Sequence, residues 1–260
     1  MLNFIERFAG VIKKLNDLFN YRVETNDEKN PSFVKTLGNQ IMIYNLEGDF
    51  ISRDFELDRL EFFIQHLENL KMHDLQLFKF YIKELRKQEQ QDSYWGIRFE
   101  ISIASSFISK GIKFIKQECP DFIVDNNLGV ECSSIRIRKD SQKLNYDYKI
   151  SAIINKKSQN IYNNQSTALY VDFTNIVYNL SLKQLVVDTK NIRSYTKQSL
   201  ASTNFGSIIL FANMHTQGRL EQNYLRIDND NLDPSLKNFL DKYYAIEEYP
   251  VNGYGTTYEL

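Results

Sequence analysis

Apolar residues recur at intervals of three and four along the first third of the chain. Beyond it they collect into short runs bounded by glycine, proline and acidic turns. Phe4, Ile5, Phe8, Val11, Ile12, Leu15 and Phe19 fall on one side of a helix drawn through them. The spacing returns in Leu57, Leu60, Phe63, Ile64 and Leu67, and again in Leu75, Phe78, Tyr81, Ile82 and Leu85. Pro31 interrupts it, and SFVKTLGNQIMIYNLEGDF is mixed, with IMIY expected as a short strand. The polar run RKQEQQD at 86–92 reads as a boundary, so residues 1–92 are expected to form a mainly helical region.

After the boundary, Ser93 is placed to cap a helix running to Lys110, with Gly111 at its stop. A strand is expected at 114–117, then a hairpin made of FIVD and GVECSSIRI. Residues 144–162 return to helical spacing, with Tyr146, Ile150, Ile153, Ile154 and Ile161 on one side. ALYVDFTN (168–175) and SIILFANM (207–214) are the near-continuous apolar runs of buried strands, with a helix expected near 181–200 between them. LRID reads as an edge strand, and Asp233-Pro234 opens a last helix. The order predicts an α/β core over 93–215 with a mixed central sheet flanked by helices, and a C-terminal extension, 216–260, packing on it.

Composition narrows the class. A hydrophobic content of 42% and an aromatic content of 13% belong to an ordered globular chain. The formal charge of −1 selects no partner, because acidic surface can cancel a local basic groove. No apolar run approaches the ~20 residues needed to cross a bilayer, and the charged, amphipathic N-terminus is unlike a signal peptide. A cytoplasmic protein without a membrane partner is expected. Cys119 and Cys132 then read as reduced thiols, and His66, His73 and His215 show no metal-ligand spacing. P-loop, dinucleotide and nucleophile-elbow patterns are absent from the sequence.

Three carboxylates carry the candidate chemistry. Glu100 lies between Ile97 and Ala104 on one side of its helix, where burial is costly without a partner or a metal. In the hairpin, period-two alternation puts Glu131 and Ser133 on one face and Val130 and Cys132 on the other. Loop length decides whether Asp121 joins them. A two-residue turn at Asn126-Asn127 sets Asp121 opposite Cys132, on the wrong face. A three-residue loop at 126–128 pairs Asp125 with Gly129 and Asp121 with Ser133, on the right one, with Gly129 easing the turn. An odd loop is therefore expected.

A Glu on a helix, then Pro120-Asp121, then Glu131-Cys132-Ser133 on the next strand resembles the PD-(D/E)XK nuclease superfamily, the restriction-endonuclease-like fold. The resemblance spans residues 93–215. It implies a metal-dependent endonuclease in which Asp121 and Glu131, with the carbonyl of Cys132, hold Mg²⁺, and Mn²⁺ can substitute. Glu100 would serve a second metal or its water shell. Ser133 stands where the family's lysine should be, and a hydroxyl supplies neither the charge nor the proton chemistry of an ammonium. Lys157, at helical spacing from Ile150, Ile153, Ile154 and Ile161, is the substitute the following helix offers.

Arg136, Arg138 and Lys139, with Lys149 and Lys156 on the next helix, form the basic surface expected to meet a phosphate backbone. The partner implied is nucleic acid, DNA before RNA, with the N-terminal helices free to recognise substrate, form a homodimer or dock a protein. The alternative is a catalytically inactive nuclease-fold protein that binds nucleic acid or another protein. A third reading is a helical interaction protein in which the acids never meet.

Overall fold

The three-and-four spacing of the N-terminal part becomes helices. The computed structural model describes residues 4–20, 32–87, 91–125, 127–135, 146–179, 184–185, 189–216, 219–246 and 258–259. The chain divides into two units, Met1–Gly111 and Ile112–Leu260. The first contains α1 (Phe4–Phe19), α2 (Ser32–Leu46), α3 (Phe50–His73), α4 (Leu75–Lys87) and α5 (Gln91–Ser109). α3 is its centre and packs against each of the other four. Asp49 caps it by accepting from the Ser52 N–H at 3.2 Å. Asp74 ends α3 by donating its own N–H to Leu70 O at 2.8 Å, and opens α4 by accepting from the Leu77 N–H at 2.9 Å. One residue thus serves the orphan groups of two helix ends.

Two expectations are corrected here. IMIY lies within α2 and is not a strand. Ile41 is buried while Ile43 is exposed, and residues two apart part company in this way on a helix, whereas on a strand they would share a face. α5 begins at Gln91, so Ser93 is inside it and not its cap. Its far end matches, since Gly111 has φ +66° and its N–H reaches Ile108 O at 3.0 Å. Because α5 packs on α3 and α4, it belongs with the helical unit, and the division falls after Gly111 instead of after residue 92.

The helical unit buries charge. Arg59 pairs with Glu56 at 3.0 Å, with both side chains almost wholly enclosed. Arg98 donates to Arg59 O at 2.6 Å. Both guanidiniums lie over the Trp95 ring, at 4.9 Å and 5.4 Å.

The second unit is built on strands β1 (Phe114–Lys116), β2 (Phe122–Val124), β3 (Leu128–Ser134), α6 (Tyr146–Ser158), β4 (Thr167–Asp172), α7 (Thr174–Val177), β5 (Tyr178–Asn179), β6 (Gln184–Leu185), α8 (Thr189–Leu200), β7 (Ser207–Thr216), β8 (Arg219–Asp228), α9 (Pro234–Tyr243) and β9 (Tyr258–Glu259). A six-stranded sheet runs β1-β2-β3-β4-β7-β8, and a small one runs β5-β6-β9. The β3–β4 and β4–β7 pairs are parallel, and the outer pairs of the large sheet are antiparallel. The unit is therefore mixed α/β, as the order of elements predicts. Two details differ. The helix expected near 181–200 is shorter, beginning at Thr189 after β6. LRID is part of a full edge strand, so the segment after residue 216 completes the main sheet and is more than an addition to it.

Register assigns the faces. Glu131 pairs with Leu169, Leu169 with Ile208, and Ile208 with Ile227, so these four point the same way. On that side Leu169, Ile208 and Ile227 form a core with Ile150 and Ile154 of α6 and Ile192 and Leu200 of α8. Cys132, Tyr170, Ile209 and Arg226 point the other way. There Tyr170, Phe211 and Tyr244 pack ring against ring, and Arg226 holds Asp228 at 2.7 Å and Asp241 of α9 at 2.8 Å. Among the described residues no helix is long and apolar enough to cross a membrane.

Candidate active site

The hairpin makes the site. β2 and β3 pair Phe122 with Val130, Ile123 with Gly129 and Val124 with Leu128, leaving an odd loop at 125–127. The parity is the one required. The register is not the expected Asp125–Gly129 pairing; extended one step from Phe122–Val130, it sets Asp121 across from Glu131 itself. The residue in the left-handed region is Asp125, at φ 45°. Gly129 serves a different purpose, because a Cβ there would lie 2.6 Å from Thr167 Oγ1. Its absence lets β4 come close.

Each carboxylate spends one oxygen on the backbone. The Asp121 N–H donates to Glu131 Oε2 at 3.2 Å, and the Cys132 N–H donates to Asp121 Oδ2 at 2.8 Å. The remaining oxygens face cations. Lys116 Nζ meets Asp121 Oδ1 at 3.0 Å. The ammonium of Lys157 pairs with Glu131 Oε1, which also accepts from the Tyr162 hydroxyl at 3.0 Å. The acid side chains are 12% and 5% exposed against 14% and 22% for the lysines.

Two acids and two ammoniums balance formally, yet burial still acts on Glu131 and its donors. Burial, then the neighbouring Asp121 charge, lifts the Glu131 pKa against the opposing pull of Lys157 and Tyr162. For Lys157 burial works downward, but the charge and hydrogen bond of Glu131 and the charge of Asp121 outweigh it, and its pKa rises. The Tyr162 phenol is pushed well above its ordinary value, first by burial and then by Glu131. Lys157 and Tyr162 therefore remain donors at neutral pH.

The structure brings Asp121, Glu131 and Lys157 together and adds Lys116 and Tyr162. Glu100 is on α5, in the helical unit, half-buried like Ile97 and Ile108 on its side of that helix; the fully buried side holds Ile101, Ala104 and Phe107. Among the described residues there is no group of three or more His, Cys, Asp or Glu side chains that could hold a metal ion. Cys132 offers its N–H to Asp121 and, by alternation, turns its thiol to the opposite face. Both cysteines are free thiols, Cys119 exposed and Cys132 buried. Ser133 is half-buried on the Glu131 face. On α6, Lys156 is exposed and Lys149 half-buried. Arg136, Arg138 and Lys139 lie outside the described residues.

Tyr162 and Lys116 escape the periodicity argument for different reasons. α6 ends at Ser158, so Ile161, expected on its inward stripe, is 94% exposed and Tyr162 turns inward instead. Lys116 is on β1, and only the β1–β2 pairing of Lys116 with Phe122 brings it beside Asp121. A basic residue on the strand antiparallel to the acidic one was the available signal.

Two adjacent carboxylates each present one oxygen to a positive charge, and in both cases that charge is a lysine ammonium. No family model, no characterised protein and no solved structure matches the chain.

Proposed function

We propose that the chain is a Mg²⁺-dependent endonuclease of the PD-(D/E)XK type, hydrolysing phosphodiester bonds of nucleic acid, DNA before RNA, on a restriction-endonuclease-like core. The observation that carries this is the pairing of Glu131 with Asp121 and with the ammonium of Lys157, which comes from the helix after the hairpin and supplies the charge Ser133 lacks. Asp121 and Glu131 would hold the metal through Oδ1 and Oε1, and Mn²⁺ would substitute. Bound there, the metal would acidify a water and neutralise charge on the phosphoryl group.

The chain's own residues divide the remaining work. The Cys132 N–H and the Tyr162 hydroxyl fix the two carboxylates in place. Lys157, whose pKa rises against burial because of Glu131 and Asp121, would act as a donor, orienting the attacking water or a phosphoryl oxygen. Lys149 and Lys156, with Arg136, Arg138 and Lys139, would hold the phosphate backbone, and the helical unit would recognise substrate, dimerise or dock a partner.

Incubation of supercoiled plasmid with Mg²⁺ or Mn²⁺ tests the reading. Nicking is expected from the wild type and none from Asp121→Ala or Glu131→Ala. Cleavage that survives both substitutions rejects it. The second reading, binding without cleavage, is favoured by Ser133 at the lysine position. It would appear as a gel shift in the absence of any nicking.

A further inference from the structure

The proposed metal has a resident rival. Both oxygens left for a cation after the backbone has taken its share, Asp121 Oδ1 and Glu131 Oε1, already carry an ammonium. Lys157 has a catalytic use in the reading above. Lys116 has none.

Lys116 is also built to let go. Its Nζ donates to Gln117 O at 3.0 Å and lies 5.2 Å from the centre of the Phe122 ring, so partners on its own hairpin hold it after it leaves Asp121. Lysine is a point charge on a flexible stem and surrenders one partner for another more readily than the forked, planar arginine. A divalent cation on Asp121 Oδ1 would sit within a few ångströms of this ammonium, where like charges repel strongly in partly buried surroundings.

We propose that Lys116 is a competitor built into the metal site: it occupies the Asp121 oxygen until a divalent cation displaces it, and so sets the affinity for that cation. The inference rests on the metal-binding reading of Asp121 and Glu131. It differs in sign from a purely structural role. Were the Lys116–Asp121 pair only scaffolding, its loss would loosen Asp121 and weaken metal binding. As a competitor, its loss uncovers Oδ1 and strengthens it.

Binding of Mn²⁺ to the metal-free protein, followed through the electron paramagnetic resonance of free Mn²⁺, separates the two. Lys116→Met is expected to bind about tenfold more tightly than wild type. Lys116→Arg, whose forked guanidinium gives up Asp121 less readily, is expected to bind several-fold more weakly than wild type, and adding Asp121→Asn to Lys116→Met is expected to abolish the gain. Thermal unfolding verifies that each variant is folded, with Lys116→Gln read in the same way if the methionine variant is not. Equal or weaker Mn²⁺ binding by Lys116→Met overturns the competitor while leaving the site standing. No Mn²⁺ uptake by either wild type or variant overturns the metal site itself.

Discussion

In the helical unit, Arg59 faces Glu56 at 3.0 Å and shares the indole of Trp95 with Arg98. In the sheet unit, Asp121 and Glu131 face the ammoniums of Lys116 and Lys157. Both clusters bury charge, but the ions differ in kind. The Arg59–Glu56 pair is 2% and 8% exposed and is made with a planar cation sandwiched among rings, which hold it wherever its carboxylate goes. The lysines are more exposed and reach in along flexible stems. Permanent charge with no route to solvent is architecture. Charge carried on a flexible stem can exchange partners, which is what a binding site would need.

The comparison can be broken at three places. Arg59→Met should produce the largest effect, a loss of about 3–5 kcal/mol, because it strands the buried Glu56 carboxylate. Urea unfolding followed through Trp95, the chain's only tryptophan, would measure it, and adding Glu56→Leu should restore much of the loss. An Arg59→Met protein as stable as wild type would put its cluster in the exchangeable class.

Lys157→Met should act on rate instead. Plasmid cleavage is expected to fall about 100-fold, or ~2.7 kcal/mol of barrier, with a smaller loss of stability than in Arg59→Met, because Glu131 keeps the Tyr162 hydroxyl and the Asp121 N–H. A large stability loss at normal cleavage rate would make Lys157 architecture as well.

The smallest effect concerns pH. Burial, then the charge of Arg98, lowers the pKa of His66 in the helical unit to about 4. The folded state therefore favours neutral imidazole, and this contribution is full above the ordinary value of 6.5 and is lost as pH falls toward 4. By pH 5.5, a unit below the ordinary value, about 1.4 kcal/mol of it is lost. The acid limb of stability between those limits should be flatter in His66→Asn than in wild type, and identical limbs would show that burial of neutral His66 does not shape the acid limb.

The site was legible in the sequence wherever parity alone decides it. Alternation placed Glu131 and Ser133 on one face, and an odd loop was enough to bring Asp121 to the same side. The exact pairing was not legible, because Gly129 appears suited to the turn when its missing Cβ is required by Thr167 across the sheet. Lys157 could be found from helical spacing. Tyr162 could not, since the helix stops short of it and the chain turns it inward. IMIY misled because four apolar residues satisfy strand and helix alike until their neighbours choose. In each miss, a contact distant in sequence overrode a local pattern.

The order of strands also bears on how the protein assembles. β7 and β8 pair from Thr216–Arg219 outward, whereas β3 must find β4 across the α6 crossover, with Gly129 opposite Thr167. Closing the shorter loop first costs less chain entropy. The β7–β8 ribbon should therefore gain amide protection ahead of β3 in pulsed hydrogen exchange. Lys116 and Asp121 would then meet early, through the local β1–β2 pairing, and Glu131 would meet Lys157 and Tyr162 only once the α6 crossover has closed.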